Sequence, residues 1–405
     1  MSPALAYLRP LIAFDSISRR SNEPVSERVA GWLTDLGFDV EHTSYLDHNG
    51  VAKRNLVARR DPVTTVGDPA EANAVREHSV GNQLLHRGPS GLAYFCHTDT
   101  VTADRWTGPG GNPFEAVEVD DRIYGRGSCD MKGSLAAMLA ATGRVNVADQ
   151  RRPLWIVCTA DEEVGFEGAR HIAQHSREFA RIRATDPVSI IGEPTRLSVI
   201  HAHKGMIGLR IHSHGRAAHS SSLSGVNANV AMVPMLQTLA EIDERCRHDP
   251  TLRNNDFDPP TLTWNFGFSD GMKTVNIVPD HCTAWVSFRS MPGVDGQELI
   301  DQIQSRADEL GLTVHRYPGG GPLHTDPESE CVRDLCRLAE PFVGKSVSGT
   351  VCYATDGCAL PELTQRIVCG PGDIMQAHTV DEFIETEQLE NGVRLYQSAI
   401  EHWCC

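Results

Sequence analysis

The sequence predicts an α/β protein in which a mostly parallel-sheet domain is interrupted by a smaller α+β domain. Three observations carry that reading. Short apolar runs at 92–96, 154–159, 188–192 and 365–370 have the length and composition of fully buried strands, and helical stripes alternate with them. Between about 204 and 317 the pattern changes. There 207–212 and 282–289 alternate like half-exposed strands, 261–268 has strand-like composition, and Val226, Val230, Val233, Leu236, Leu239 and Ile242 recur at helical spacing. Third, histidines and carboxylates stand at or just beyond the ends of the buried runs, where loops of an open α/β sheet converge on one crevice. The expected division is 1–203, 204–317 and 318–405, the outer two forming one domain.

The elements follow in order. Leu5, Leu8, Leu11 and Ile12 share one face of a first helix that Pro10 must kink or limit. Val29, Trp32, Leu33 and Leu36 form a second stripe, closed by Gly37 as a C-terminal cap. Residues 61–89 are polar and punctuated by Gly and Pro, the pattern of an inserted surface loop. From Gly91 strands and helices alternate, which implies right-handed crossovers.

Composition narrows the function. Against 37 basic residues stand 53 acidic ones, a net charge of −16, which argues against nucleic acid and anionic membranes as partners. No apolar stretch is long enough to span a bilayer, and the opening Met-Ser-Pro-Ala-Leu lacks the pattern of a secretory signal. The twelve cysteines contain no Cys-x-x-Cys pair, and Cys96, Cys158 and Cys369 fall inside buried runs, so a thiolate metal site is poorly supported and a reducing cytoplasm is the expected home.

Five dispersed residues read as metal ligands: His97, Asp130, Glu163, Glu193 and His378. Alone, each has a plainer reading. His97 could simply meet a backbone carbonyl, Asp130 could cap the helix that follows it, and Asp161-Glu162-Glu163 could be a solvated acidic turn. Together they supply one bridging carboxylate and two further ligands for each of two cations, the pattern of a dinuclear metal hydrolase. Nitrogen and oxygen donors without thiolate suit zinc, with cobalt or manganese as substitutes. Adjacent side chains diverge, so one of the pair can coordinate while the other leans over the water, which suits Glu163 as ligand and Glu162 as general base. Asp99, two residues past His97, is placed to fix its tautomer. The glycines at 125 and 127 could suggest a phosphate loop, but no Gly-Lys-Ser/Thr follows.

The motifs His97-Thr98-Asp99, Gly127-Ser128-Cys129-Asp130-Met131-Lys132-Gly133, Asp161-Glu162-Glu163 and Gly192-Glu193-Pro194-Thr195 closely resemble the acetylornithine deacetylase / succinyl-diaminopimelate desuccinylase family of zinc metallopeptidases. The resemblance covers nearly all of the chain apart from 61–89. It implies a two-zinc catalytic domain interrupted by a lid that also forms a homodimer, with His97 and Glu193 on one zinc, Glu163 and His378 on the other, and Asp130 between them. It further implies Glu162 as the catalytic base and Asp99 as its supporting carboxylate.

The same resemblance extends to the substrate. Gly215-Arg216-Ala217-Ala218-His219-Ser220-Ser221 is similar to the family's loop that carries a histidine into the neighbouring subunit's site, which makes His219 an oxyanion donor in trans. Asn276 and Arg289 resemble its substrate contacts; periodicity alone would equally allow Arg289 to be a surface arginine, although its strand face could look into a cleft. Thr355-Asp356-Gly357 is closer to the desuccinylase, whereas His203-Lys204-Gly205 and the segment from Gln376 to Thr386 are closer to the deacetylase. The implied reaction is hydrolysis of a small N-acyl amino acid, above all N-acetyl-ornithine to ornithine and acetate, a step of arginine biosynthesis. The alternatives are desuccinylation, a carboxypeptidase or dipeptidase with the same machinery, and a metal-dependent binding protein that kept the fold. A Ser-His-Asp hydrolase is disfavoured because no Gly-x-Ser-x-Gly follows a buried strand.

Overall fold

The computed structural model describes residues 3–63, 91–271, 274–345 and 347–405. The expected insertion at 61–89 therefore lies outside the described residues except for 61–63.

A nine-stranded sheet forms the main domain. Its centre is parallel: Leu154–Thr159, Leu92–His97, Val188–Ile191 and Arg366–Val368 lie side by side with their carboxyl ends pointing one way. All four are buried along their length, which is why they read as unbroken apolar runs. The flanks are antiparallel except that Gly349–Val351 pairs parallel with Ile200–His203, and the sheet as a whole is mixed rather than mostly parallel. Asp39–Leu46 and Ala52–Arg60 make a hairpin whose second strand pairs antiparallel with Leu154–Thr159. At the other edge Ile200–His203 runs against both Arg366–Val368 and Leu323–His324. A short loop can only return the chain antiparallel, so the 47–51 turn dictates one flank.

The helix Lys132–Thr142 is buried all round, between Pro3–Ile12 and Thr386–Cys404 on one face of the sheet. Its Ala-rich composition suits that position, since small side chains admit a close neighbour on each side. Helices Glu167–His175 and Arg177–Thr185 cover the opposite face through Ala169, Ile172, Phe179 and Ile182. The second expected helix runs Glu23–Asp35, and Gly37 follows it at φ +84°, the left-handed conformation that glycine adopts without strain.

The inserted domain is a four-stranded antiparallel sheet, ordered Asn265–Ser269, His281–Phe288, Met206–His214 and Thr313–Gly320. Ala228–His248 and Gln297–Leu310 pack on one face over a separate core that includes Leu209, Ile211, Met235, Leu239, Val286 and Phe288. The expected helical stripe needs correction. Leu239 and Ile242 face this core, but the helix starts only at Ala228 and its inner face continues through Met235 and Met232. That rotation leaves Val226, Val230 and Val233 52%, 68% and 59% exposed.

Candidate metal centre and active site

The cluster is assembled from the carboxyl ends of the parallel strands. His97 ends its strand fully buried, with Nδ1 donating to the Asp99 carbonyl at 2.9 Å. That leaves Nε2 facing Asp130 Oδ1 at 3.1 Å and Glu193 Oε1 at 3.8 Å. The Asp99 carboxylate stands farther from the ring, 3.7 Å from Nδ1. It accepts the Ser18 hydroxyl at 2.7 Å and the backbone N–H groups of Glu162 and Glu163 at 3.3 and 3.4 Å. Asp99 thus joins the His97 strand end to the acidic turn.

Asp130 caps no helix. The helix begins at Lys132, and both Asp130 oxygens are turned to imidazoles, Oδ2 lying 3.4 Å from His378 Nε2. A residue that sequence reasoning passed over holds this loop in place. Glu382 is fully buried and accepts hydrogen bonds from Arg126 Nη1 at 2.7 Å and from the backbone of Gly127, Cys129 and Asp130 at 2.8–2.9 Å. A second pair, Lys53 Nζ and Asp161 Oδ1 at 2.7 Å, is buried beneath the acidic turn, where Asp161 has a left-handed φ of 58°. Neither residue sits in a recognisable local pattern. Glu382 is one acid among several, and Lys53 interrupts a strand as though solvated.

His378 comes from a loop at φ 65° and places Nε2 2.9 Å from Glu163 Oε2. Glu193 follows Gly192, where a side chain would run into Tyr94 and Ser134; glycine lets that strand end lie close enough to bring the carboxylate to His97. His97, Asp130 and Glu163 have one donor atom each within 4.8 Å of one another, a group able to hold a metal ion.

Electrostatics support a cation there. Burial pushes the Glu162 and Glu193 carboxyls well up, and the surrounding carboxylates push them further. Burial and the Asp130 charge bring Glu163 to about 7, and its Oε1 is buried without a hydrogen-bond partner among the described residues. Burial alone would lower His97, but Asp130, Glu193 and Glu162 hold it well above its ordinary value. Hydrogen bonds to Asp130 and Glu163 raise His378 to about 10. Burial opposes ionisation of Asp130, yet its two imidazole partners outweigh that and keep it below the usual range. Four crowded carboxylates facing two imidazoles are the electrostatic signature of a site whose balancing charge is a bound metal.

Beside the cluster opens a cavity of about 780 Å³ between the two domains. Glu162, Glu163 and His378 form its floor, and Arg210, Trp285 and Arg289 of the lid sheet form its roof. Arg289 thus faces the cleft. Thr355 does not line it: the side chain is buried, bonded to His203 Nε2 at 2.9 Å and to the Gly357 N–H at 3.1 Å, and its neighbours Tyr353 and Ala354 reach the cavity instead. His219 and Asn276 lie on adjoining exposed loops of the lid, joined by a bridge between His219 and Ile277 and by the Ser220 N–H to the Asn276 carbonyl. Neither lines the cavity.

Residues 93–402 match the model of peptidase family M20/M25/M40. The chain belongs to that family. Within it the chain is like the acetylornithine deacetylases: it is 32% identical over 419 residues to "Acetylornithine deacetylase" of Photorhabdus laumondii subsp. laumondii, covering 100% of this chain and 98% of the other. Among solved structures, the M20 family metallo-carboxypeptidase Sso-CP2 from Sulfolobus solfataricus shares the fold with a TM-score of 0.74 at 15% identity, covering 100% of this chain and 99% of the other. Human carnosine dipeptidase 1 does so with a TM-score of 0.70 at 15% identity, over 98% and 95% of the two chains. Family membership and the His97–Asp130–Glu163 group together make this M20 protein a metal-dependent amidohydrolase. Among the described residues no helix is long and apolar enough to cross a membrane.

Proposed function

We propose that this M20 protein hydrolyses the amide bond of an N-acyl α-amino acid in the cytoplasm, using two cations. The observation that carries the reading is the position of Asp130, whose two oxygens face different imidazoles. His97 with Glu193 would hold one cation, Glu163 with His378 the other, and Asp130 both. An all-nitrogen-and-oxygen donor set suits zinc, with cobalt or manganese as substitutes. When bound, the cations supply Lewis acidity, lowering the pKa of a water and polarising the acyl carbonyl.

The protein supplies the proton path and the orientation. Glu162 accepts the water's proton and delivers it to the departing amine; its raised pKa suits both duties. Asp99 fixes the Glu162 backbone and so aims the carboxylate. Arg289 grips the α-carboxylate through its planar guanidinium. The exposed positions of His219 and Asn276 support a role in a neighbouring copy's cleft, and exposed Val230, Val233, Phe268 and Val275 support a homodimer through the lid. Thr355 contributes to binding by fixing the Tyr353–Ala354 wall.

The relatives' name and the deacetylase-like motifs support N-acetyl-ornithine as substrate. One observation favours a second reading. Among the described residues, neither Arg210 nor Arg289 has a carboxylate within ion-pair distance, and the only carboxylates lining the cavity are Glu162 and Glu163. Such a roof suits a second carboxylate better than an ammonium group, as in N-succinyl-diaminopimelate or an acidic dipeptide. Acyl or amino-acid release by zinc-loaded and chelated protein separates these readings. Chelator-sensitive turnover of N-acetyl-ornithine selects the first, and preference for the dicarboxylates selects the second. Silence of the loaded protein across N-acetyl-ornithine, N-succinyl-diaminopimelate and a dipeptide panel would overturn both.

A further inference from the structure

The lid carries a group of four neighbouring histidines, away from the cleft floor. His212 and His214 alternate on Met206–His214 and so share the outward face of the sheet. On the adjoining strand His281 is the register partner of His214, and Thr283 that of His212. His315, on the third strand, meets the His212 ring edge-on at a centroid separation of 5.4 Å. The His281 ring lies 5.3 Å from that of His212 and 5.0 Å from that of His214.

The nitrogen positions are the informative quantity. His212 Nδ1 and His281 Nε2 are 3.4 Å apart. Two ligands bound tetrahedrally at zinc–nitrogen lengths of 2.0–2.1 Å stand roughly 3.3–3.4 Å from each other. The strand register therefore already sets two imidazole nitrogens at the bite of one cation, whereas the His214 ring, centred 6.3 Å from that of His212, joins them only by turning inward. Thr283 Oγ1 lies 2.9 Å from the His281 nitrogen and 3.2 Å from that of His212, so its hydroxyl can donate to one ring and accept from the other, a bridge that a cation would replace. Among the described residues no carboxylate forms an ion pair with any of the four rings. Burial and the neighbouring His281, His315 and Arg210 instead lower the pKa of His212, keeping it in the neutral form that binds metals.

We propose that His212 and His281, with His214 and His315 turning in as further donors, form an accessory site for a borderline divalent transition cation such as zinc, nickel or copper. An ion there would join two strands of the lid sheet, three with His315. It would also lie next to Thr283, which lines the outer end of the cavity.

The test uses full-length protein whose catalytic cluster is first filled with zinc and to which copper(II) is then added. The expected result is one further equivalent bound per chain, with an electron paramagnetic resonance spectrum showing coupling to several imidazole nitrogens. That signal should disappear in the double variant His212→Ala/His281→Ala, while zinc content and hydrolytic rate stay at wild-type levels. His281→Gln, which keeps a polar side chain on the strand, should weaken copper binding at least tenfold and covers the case in which the double variant folds poorly. Copper binding that is unchanged in both variants, or absent from the zinc-filled wild type, would overturn the proposal.

Discussion

At the scale of single residues, chemistry and metal holding are divided between neighbours. Glu162 and Glu163 are adjacent, yet only Glu163 touches His378. Replacing Glu162 with Gln removes the proton acceptor and leaves every proposed ligand in place. The expected outcome is unchanged zinc content and melting temperature with turnover reduced about 10²–10⁴-fold, the usual worth of a general base. Loss of zinc with turnover would instead mark Glu162 as a ligand. Proton linkage offers an independent check. In the metal-free protein Glu163 keeps its proton up to about pH 7 and His378 keeps one up to about 10. A cation must displace both, so affinity should rise with pH through 7. Below 7 the Glu163 proton is among those a cation must expel; at pH 8 Glu163 is already ionised and drops out of that count, while His378 still carries its proton. Calorimetric zinc titrations in buffers of different ionisation enthalpy should show about one proton fewer released at pH 8 than at pH 6. Equal release at both would remove Glu163 from the ligand set.

Among the elements, the centre depends on strand ends that are held from behind. Glu382 accepts from three backbone N–H groups and is the charge partner of the buried Arg126. Glu382→Gln leaves Arg126 buried without its charge partner, a type of loss that costs about 3–5 kcal/mol. It also loosens the Asp130 loop, so zinc affinity should fall about 10–100-fold, as for other groups that orient ligands. Denaturant titration and equilibrium dialysis measure the two effects, and wild-type values in both would contradict this account.

The contrast between Asp130 and Glu382 shows what the sequence made legible. His97, Glu163 and Glu193 follow buried apolar runs, and strand ends of a parallel sheet converge, so their meeting could be anticipated from spacing. Glu382 approaches through a three-stranded side sheet formed by Phe383–Glu385, Arg122–Tyr124 and Val117–Val119, a pairing that spans over 250 residues and leaves no local trace. The antiparallel flanks were hidden for a related reason. Ala52–Arg60 includes charged Lys53 and Arg60 that are buried through distant partners, Asp161 and Gln150, so the strand does not look like an inner one. The lid helix was expected at the correct place but rotated, because valines and methionines are equally apolar and only packing separates them.

For the whole molecule, the exposed valines of Ala228–His248 and the loops bearing His219 and Asn276 bear on one question, whether a single chain has a complete site. Val230→Asp/Val233→Asp places charges on the exposed face without touching the buried one. Sedimentation should show a shift from dimer to monomer. Turnover should fall to about the level of a His219→Ala variant, the loss of one oxyanion donor being worth about 10²–10³-fold. A fully active monomer would confine catalysis to one subunit. The mixed sheet and the loops beyond its strand ends bring His97, Glu163, Glu193 and His378 from distant parts of the chain around Asp130. Anomalous diffraction at the zinc edge, from crystals loaded with two equivalents of zinc per chain, tests that claim most directly. The account predicts two peaks, one against His97 and Glu193 and one against Glu163 and His378, with Asp130 between them. A single peak, or two peaks that do not share Asp130, would contradict it.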